Sequence, residues 1–400
     1  MRIKNKIAIV SSLMFGATGV GITTINIAKI LIANGHEIYF ITSMDPGYSS
    51  PNLHPVVIKP KKCLKSIQWS IGHRLHLPFL HKNATAADID VIKFSASVSK
   101  TLDQIIRDNN IELLYFIESY LEYIFFKPSP GYQILLNLAC PRYMFQKLGI
   151  INDPVNNYLF DKDSCFMKHV NKFSTPSKAM AALAVDYYKL FDRKIKVIPN
   201  PVDISVFFPK QTKISQDSIG LCFSGRFSRE KGADSIIEII PPLMREFKNL
   251  SFSVAGSDSI DSQGRSRIER LKNLLSDSNC IDRFKWFPFI KYIEMPEFYH
   301  NHSIFISPTM FESFGNTLAE AQACGLPVVS CKVGGVPEVV LDKTTGFLED
   351  VSDNKALSDR VRELITDGEL RERMGANAAS RARDLFSFST IASKYEDLVS

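Results

Sequence analysis

The chain has 400 residues, more than one hydrophobic core usually organises, so its length favours two domains or three. Hydrophobic residues make up 45% and charged residues 22%, which excludes a disordered chain and supplies apolar material for large cores. The net charge of +6 is unevenly held, with 24 Lys/Arg against 14 Asp/Glu in residues 1–200 and 24 against 28 in residues 201–400, so the basic first half could face anionic lipid, an acidic or phosphorylated acceptor, or nucleic acid.

At the N-terminus, Arg2, Lys4 and Lys6 precede the apolar run Ile7-Ala8-Ile9-Val10, as they would in a signal peptide. The run stops at Ser11-Ser12 and gives way to a glycine loop and an amphipathic helix, so a cytoplasmic protein is expected. No window of about 18 uninterrupted apolar residues argues for an integral membrane protein. The loop Phe15-Gly16-Ala17-Thr18-Gly19-Val20-Gly21 precedes a predicted helix, Ile22–Ala33, closed by Asn34-Gly35. Its glycines would let backbone N–H groups approach an anion at a helix N-terminus. It also resembles a nicotinamide-cofactor fingerprint, but that reading wants an acid where Ile41-Thr42-Ser43 stands, and Asp45 comes slightly late. A glycine turn made only for tight packing is the third reading.

Strands are predicted at Ile7–Val10, Glu37–Thr42, Leu113–Ile117, Gln133–Leu138 and Lys172–Ser174. Residues 49–90, rich in Pro, Lys, His and Asn, break this rhythm and read as an irregular excursion of the kind that carries specificity. Its Lys59, Lys61, Lys62 and Lys65 would touch a membrane surface or form a solvated run. His73, His76 and His81, with His300 and His302 far downstream, form no metal set. Cys63, Cys140, Cys165, Cys222, Cys280, Cys324 and Cys331 contain no C-x-x-C pair and read as reduced thiols, several of them in buried strands.

Val197-Ile198-Pro199-Asn200-Pro201-Val202-Asp203 reads as a crossing between domains. A second series follows, with strands at Gly220–Ser224, Ser251–Ala255, Phe284–Phe287, Ser303–Ser307 and Pro327–Ser330. Short apolar runs alternating with helical patterns predict an α/β protein of two Rossmann-like, doubly wound domains, residues 1–200 and 205–384. Ligands of such sheets bind at the carboxyl ends of the strands, so two domains facing one another would make a cleft.

Within the second series, Gly225-Arg226-Phe227-Ser228-Arg229-Glu230-Lys231-Gly232 joins a strand to a helix predicted over Ala233–Ile240. Arg226 offers a fork of donors and Lys231 a compact charge, enough to clamp a diphosphate and stabilise charge growing on it. The competing reading is an exposed basic turn with Glu230 paired locally. Further on, Phe311-Glu312-Ser313-Phe314-Gly315-Asn316-Thr317-Leu318-Ala319-Glu320 opens a helix that Asn316 can cap and Gly325 ends. Glu320 would sit about one turn inside and Glu312 just before, so the carboxylates face different parts of one ligand rather than forming an acid and base pair. Two surface glutamates are the plainer reading.

Together these segments resemble the large family of retaining glycosyltransferases of GT-B fold grouped as family 4, whose marks are a G-R-x-x-x-E-K-G turn and an E-x(7)-E element. Further matches are Val197–Asp203, Thr175-Pro176-Ser177-Lys178, Gly325-Leu326-Pro327-Val328-Val329 and Gly334-Gly335-Val336-Pro337-Glu338. The resemblance covers the second half closely and the first loosely. It implies that Arg226 and Lys231 contact the donor diphosphate, that Glu320 binds the ribose hydroxyls, and that Glu312 with the N–H groups of Phe314, Gly315 and Asn316 holds the sugar, beside Thr317 and Leu318. The base would lie near Phe289 and Ile290, Gly16 would approach the diphosphate from across the cleft, and residues 386–400 would return as a helix to the first domain. It further implies a UDP-sugar donor, retention by front-face attack with no protein general base, no cofactor and no metal. The expected acceptor is a carbohydrate or lipid-linked hydroxyl in bacterial surface polysaccharide or glycolipid synthesis. Peripheral contact with the inner membrane face through the basic half is expected, and no nucleic acid partner. The sequence departs from the family where many relatives carry a donor-touching histidine, since it reads Leu136-Asn137-Leu138-Ala139-Cys140-Pro141 there. Asn137 is the nearest polar substitute and Glu118 a candidate on the acceptor side. The rivals are a nucleotide-sugar epimerase, which needs an acid and base pair that is not found, an NAD(P)-dependent oxidoreductase using the first glycine loop, and a non-catalytic nucleotide-sugar binder.

Overall fold

The computed structural model describes residues 4–11, 19–43, 48–58, 86–118, 122–139, 163–210 and 218–400, without the side chains of 86–93. The chain forms two compact units, 1–198 with 392–400, and 199–391.

In the first unit, strands β1 to β7 run Lys6–Val10, Glu37–Thr42, Leu53–Val57, Leu113–Ile117, Gln133–Asn137, Lys172–Thr175 and Ile195–Val197. They form one parallel sheet in the order β3-β2-β1-β4-β5-β6-β7. The central strands β1, β2 and β4 are buried almost throughout, as strands covered on both faces must be, which is why they stand out as continuous apolar runs. The edge strands β3 and β7 are only half-buried and lack that signature. The reading of residues 49–90 as irregular is therefore corrected at both ends. Leu53–Val57 is an edge strand that tolerates Pro55, and the helix Ala86–Asn109 begins inside the stretch. Most of the excursion, with Lys59, Lys61, Lys62, Lys65, His73, His76 and His81, lies outside the described residues, as do Cys63 and Cys140.

The helix Phe388–Val399 brings the last residues of the chain into this unit. Tyr395 is buried beside Tyr115 of β4. Glu396 takes hydrogen bonds from Lys4 Nζ at 2.8 Å and His36 Nε2 at 3.1 Å, and Asn5 Nδ2 donates to the Val399 carbonyl at 3.2 Å.

In the second unit, strands β8 to β13 run Ile219–Ser224, Leu250–Ala255, Phe284–Phe287, Ile304–Ser307, Val328–Cys331 and Gly346–Glu349. They form a parallel sheet in the order β10-β9-β8-β11-β12-β13, which repeats the winding of the first. The chain winds outward from β8 to β10 and then returns to lay β11 on the other side of β8, with Ile304 against Leu221 and Phe305 against Cys222. At that reversal, consecutive connections leave for opposite faces and open a crevice at the carboxyl ends.

The helices Ala233–Glu246, Arg267–Asp277 and Asn354–Thr366 cover one face through Ile236, Ile240, Leu271, Leu275 and Val361. The helices Met295–His300, Asn316–Ala323 and Gly368–Phe386 cover the other through Tyr299, Leu318, Ala321, Ala382 and Phe386. The helix from Ala233 does not stop at Ile240 as predicted but continues through Pro241-Pro242 to Glu246. The two prolines forfeit backbone donors, yet Pro241 is itself buried and Leu243 and Met244, just beyond, are fully buried, so the helix keeps its apolar face on the core. Cys222, Cys280, Cys324 and Cys331 are buried free thiols and Cys165 an exposed one. Among the described residues, no helix is long and apolar enough to cross a membrane.

His302, just before β11, is buried with its Nδ1–H donating to the Phe298 carbonyl at 2.6 Å. Burial pushes its imidazole down to about 4, against the pull of that carbonyl and with help from Lys285. The unfolded chain therefore binds this proton more readily than the folded one. The stabilisation is complete above the ordinary histidine range and drains away as pH falls toward 4. A loss on the order of 1–3 kcal/mol in urea unfolding is expected between about pH 6.5 and 4, flattened in His302→Gln. An unchanged slope in the variant would rule this account out.

Candidate functional site

The site is built from the connections that leave β8 and β11, the neighbouring strands at the reversal. After β8, Gly225 N–H bonds the Ala255 carbonyl at 2.8 Å and Phe227 N–H the Ser257 carbonyl at 2.8 Å, which ties the turn to the loop after β9. Phe227 is fully buried, edge-on to Phe223 with centroids 5.7 Å apart. Anchoring Phe227 in the core turns its basic neighbours outward, and Arg226 and Arg229 are exposed. Arg226 lies 3.7 Å from Glu230. A long, exposed pair of that kind is worth about 0–1 kcal/mol and leaves the guanidinium available to a stronger anion. One turn of tight helix, Arg229–Lys231, then ends at Gly232 with φ of +84°.

Gly232 is where the two connections touch. A Cβ there would fall 2.0 Å from the Pro308 carbonyl oxygen, so only glycine permits the approach. The contact is stitched by the Glu230 carbonyl, which accepts Met310 N–H at 2.9 Å and lies 3.0 Å from the Thr309 hydroxyl. Beyond it, Phe311 and Phe314 plunge into the core, with Phe314 edge-on to Phe386 at 5.3 Å, while Glu312 and Ser313 between them stay half-buried. From the other side, Gly334 packs so closely that a Cβ would meet the Glu312 carbonyl oxygen at 2.1 Å, and Gly335 N–H donates to that same oxygen at 2.9 Å. With its backbone held on both flanks, Glu312 presents its carboxylate to Lys231 Nζ in a direct ion pair.

The expected cap is corrected. Gly315, with φ of +100°, is the N-cap of the helix Asn316–Ala323, and Asn316 is its first residue. Its side-chain Oδ1 accepts from Asn200 Nδ2 at 2.8 Å rather than folding back on the helix. A Cβ at the cap position would meet the Leu318 side chain at 2.5 Å, so glycine takes the left-handed cap and asparagine follows it. The opening N–H groups of any α-helix lack intrahelical partners and carry positive partial charge, so Asn316, Thr317 and Leu318 set an anion-favouring end next to Lys231 and Glu312. The Leu318 side chain itself is buried in the core. Gly325 follows the last turn, as read from the sequence.

Glu320 sits one turn inside, buried. Its Oε2 accepts from the Tyr299 hydroxyl at 3.3 Å, and that hydroxyl pairs with Ser224 Oγ at 2.8 Å. Burial pushes the Glu320 carboxyl up to about 8, with the Tyr299 hydroxyl opposing it. Glu312 and Glu320 thus have different partners, a cation and a phenol. Phe289 follows β10, 63% exposed, and Ile290 is half-buried against the core behind it. Among the described residues, no three His, Cys, Asp or Glu side chains are grouped to hold a metal ion.

Gly16 lies outside the described residues. Glu118 and Asn137 belong to the first unit, after β4 and at the end of β5, joined by a bond of 2.7 Å from Glu118 N–H to the Asn137 carbonyl. Both side chains are buried, and the Asn137 amide donates to the Tyr115 hydroxyl at 3.1 Å, inside the sheet. The structure also brings in Tyr299, Ser224, Thr309 and Asn200, which the sequence did not single out as site residues. Asn200 stood inside the quoted Asn-Pro-Val-Asp crossing, whereas Tyr299 has no local pattern to mark it.

Two family descriptions match the chain, and they meet at residue 206. Glycosyltransferase Family 4 matches residues 17–206 and Glycosyl transferases group 1 matches 206–381. The capsular polysaccharide biosynthesis glycosyltransferase CapM of Staphylococcus aureus is 29% identical over 194 residues, 47% of this chain and 48% of that one. The chain spans about half the length of the curated relatives it matches. Sucrose-phosphate synthase from Thermosynechococcus elongatus superposes with a TM-score of 0.76 at 19% identity, covering 99% of this chain and 98% of that chain. HepE of Anabaena, solved with UDP and glucose, superposes at 0.71 with 16% identity, covering 98% and 99%. The two Rossmann-like parallel sheets are those of the GT-B fold.

If the approach at Gly232 holds the site together, Gly232→Ala must part the connections after β8 and β11. A loss of about 2–4 kcal/mol in urea unfolding is expected, and a change under about 0.5 kcal/mol would show that they do not touch as described.

Proposed function

We propose that this protein is a retaining, metal-independent glycosyltransferase. It would move a sugar from a nucleotide-diphosphate sugar, first of all a UDP-sugar, to a hydroxyl acceptor in surface polysaccharide or glycolipid synthesis. The observation that carries the reading is the Lys231–Glu312 pair, which joins the basic turn after β8 to the helix start after β11 at the reversal of the sheet. One ligand laid across that line meets cations at Arg226 and Lys231, the opening N–H groups of the helix beside them, and a carboxyl at Glu320 farther in.

In this reading the donor diphosphate takes Lys231 from Glu312 and draws in the exposed guanidinium of Arg226. Two cations and the helix N-terminus then balance the charge that grows as the sugar leaves, which is the task a divalent metal performs elsewhere. Glu312, released from Lys231, turns to the sugar together with the N–H groups of Phe314, Gly315 and Asn316. Glu320 takes the ribose hydroxyls and the segment at Phe289 and Ile290 lies along the base. The leaving diphosphate accepts the acceptor's proton on the same face, so retention needs no carboxylate base, consistent with neither glutamate being paired as one.

HepE indicates that this fold accommodates UDP, and CapM points to capsule-like acceptors. The basic first half would hold the protein at an anionic inner membrane face, where lipid-linked acceptors gather.

A thermal-shift screen of UDP- and GDP-sugars, followed by transfer assays with the best donor, tests the reading. Arg226→Ala and Lys231→Ala should each lower kcat/KM by about 10²- to 10³-fold while leaving the fold intact. Wild-type rates in both variants would overturn the assignment. Chelation with EDTA should leave the rate unchanged, and complete loss would refute the metal-free part.

A further inference from the structure

Behind Glu320 lies a chain of buried polar groups, Tyr299 and Ser224, to which the transfer reaction proposed above gives no role. From the helix Asn316–Ala323 its Oε2 reaches the Tyr299 hydroxyl on the helix Met295–His300 at 3.3 Å, and that hydroxyl reaches Ser224 Oγ at the end of β8 at 2.8 Å. Ser224 immediately precedes the basic turn. Tyr299 is fully buried, ringed by Phe207, Phe298 and Phe305 at centroid distances of 6.2, 5.8 and 5.9 Å. Among the described residues, the Tyr299 hydroxyl is the donor bonded to the Glu320 carboxyl. A carboxylate in such a place has little to neutralise it, because one neutral hydroxyl replaces only a fraction of its lost hydration.

We infer that Tyr299 and Glu320 form one buried proton-holding unit, so that seating a nucleotide's ribose on Glu320 expels a proton from the protein. The inference rests on the donor reading and extends it. Ribose hydroxyls arriving as donors stabilise the charged form, and the carboxyl proton passes to the solvent. Tyr299 acts through Glu320 and is a positioning residue.

Among the described residues, the titratable groups near this pair are few. From β8 comes Cys222 and from the end of the Glu320 helix Cys324, both thiols pushed up by burial and so neutral. The helix Gly368–Phe386 packs on the Glu320 helix, and its Arg381 guanidinium is held by the carbonyls of Val339 and Glu338 at 3.0 and 2.8 Å. No cation among them offsets a charge on Glu320. Burial accordingly pushes its carboxyl up to about 8, which keeps the proton in place at neutral pH.

Calorimetry of the full chain with UDP-glucose, or with GDP-mannose if that binds more tightly, reads the proton directly. Neither donor titrates near neutrality, so the slope of observed enthalpy against buffer ionisation enthalpy counts protons from the protein. About 0.9 proton should leave at pH 7 and about 0.1 at pH 9, with affinity rising about tenfold from pH 6 to pH 7. Glu320→Gln should release none at either pH. Tyr299→Phe keeps the aromatic packing and removes the donor, so its affinity profile should move up by about one pH unit. A Tyr299→Phe profile parallel to wild type but uniformly weaker would reduce the tyrosine to a packing residue and overturn its part. Firm wild-type binding without proton release overturns the inference and leaves the transferase reading standing. Failure to bind either donor overturns that reading and the inference with it.

Discussion

The absence of a side chain at Gly232 governs the second unit's site. Because nothing projects from its Cα, the Pro308 carbonyl oxygen comes close enough that a methyl group would lie 2.0 Å away. Two connections from adjacent strands are pressed into one surface, and their backbone polar groups must satisfy one another. The Glu230 carbonyl does so for Met310 and Thr309. Lys231, one residue on, is thereby delivered to Glu312, whose own peptide is wedged from behind by Gly334. A salt bridge between long side chains is ordinarily worth little, because its two ends must first be immobilised. Here the immobilisation is done by the backbone.

The same winding order occurs in both sheets. β8 ends in a turn pinned by the buried Phe227 and β11 in a loop pinned by the buried Phe311 and Phe314. In each case hydrophobic anchors alternate with polar residues over a few positions, so the apolar side chains fix where the polar ones emerge. The result is a backbone platform from which Arg226 and Arg229 point outward and Lys231 meets Glu312.

Features set by neighbours along the chain were legible in the sequence. The cationic turn, the two glutamates about two helical turns apart and the glycine after Cys324 are local devices, and the central strands of both sheets are continuous apolar runs. What escaped was decided by distant partners. Asn316 has the chemistry of a cap, yet the left-handed geometry belongs to Gly315, and the asparagine amide is claimed by Asn200 from 116 residues away. Tyr299 reaches Glu320 across 21 residues, and no periodicity marks a tyrosine for that purpose. Edge strands β3 and β7 bury too little to leave an apolar signature, and the helix through Pro241-Pro242 persists because of a core that the prolines do not reveal. In the first unit, Asn137, the polar residue standing where many relatives carry a histidine, donates from Nδ2 to the Tyr115 hydroxyl.

The first unit is closed by residues from the far end of the chain. Tyr395 sits beside Tyr115, and Glu396 gathers Lys4 and His36. On the ribosome those residues emerge only after the whole second unit has been made. The first unit must therefore wait for Tyr395 and for the Glu396 carboxylate that meets His36 while residues 199–391 are synthesised. Of the two units, the one whose strands are made first is thus the one whose residues are completed last.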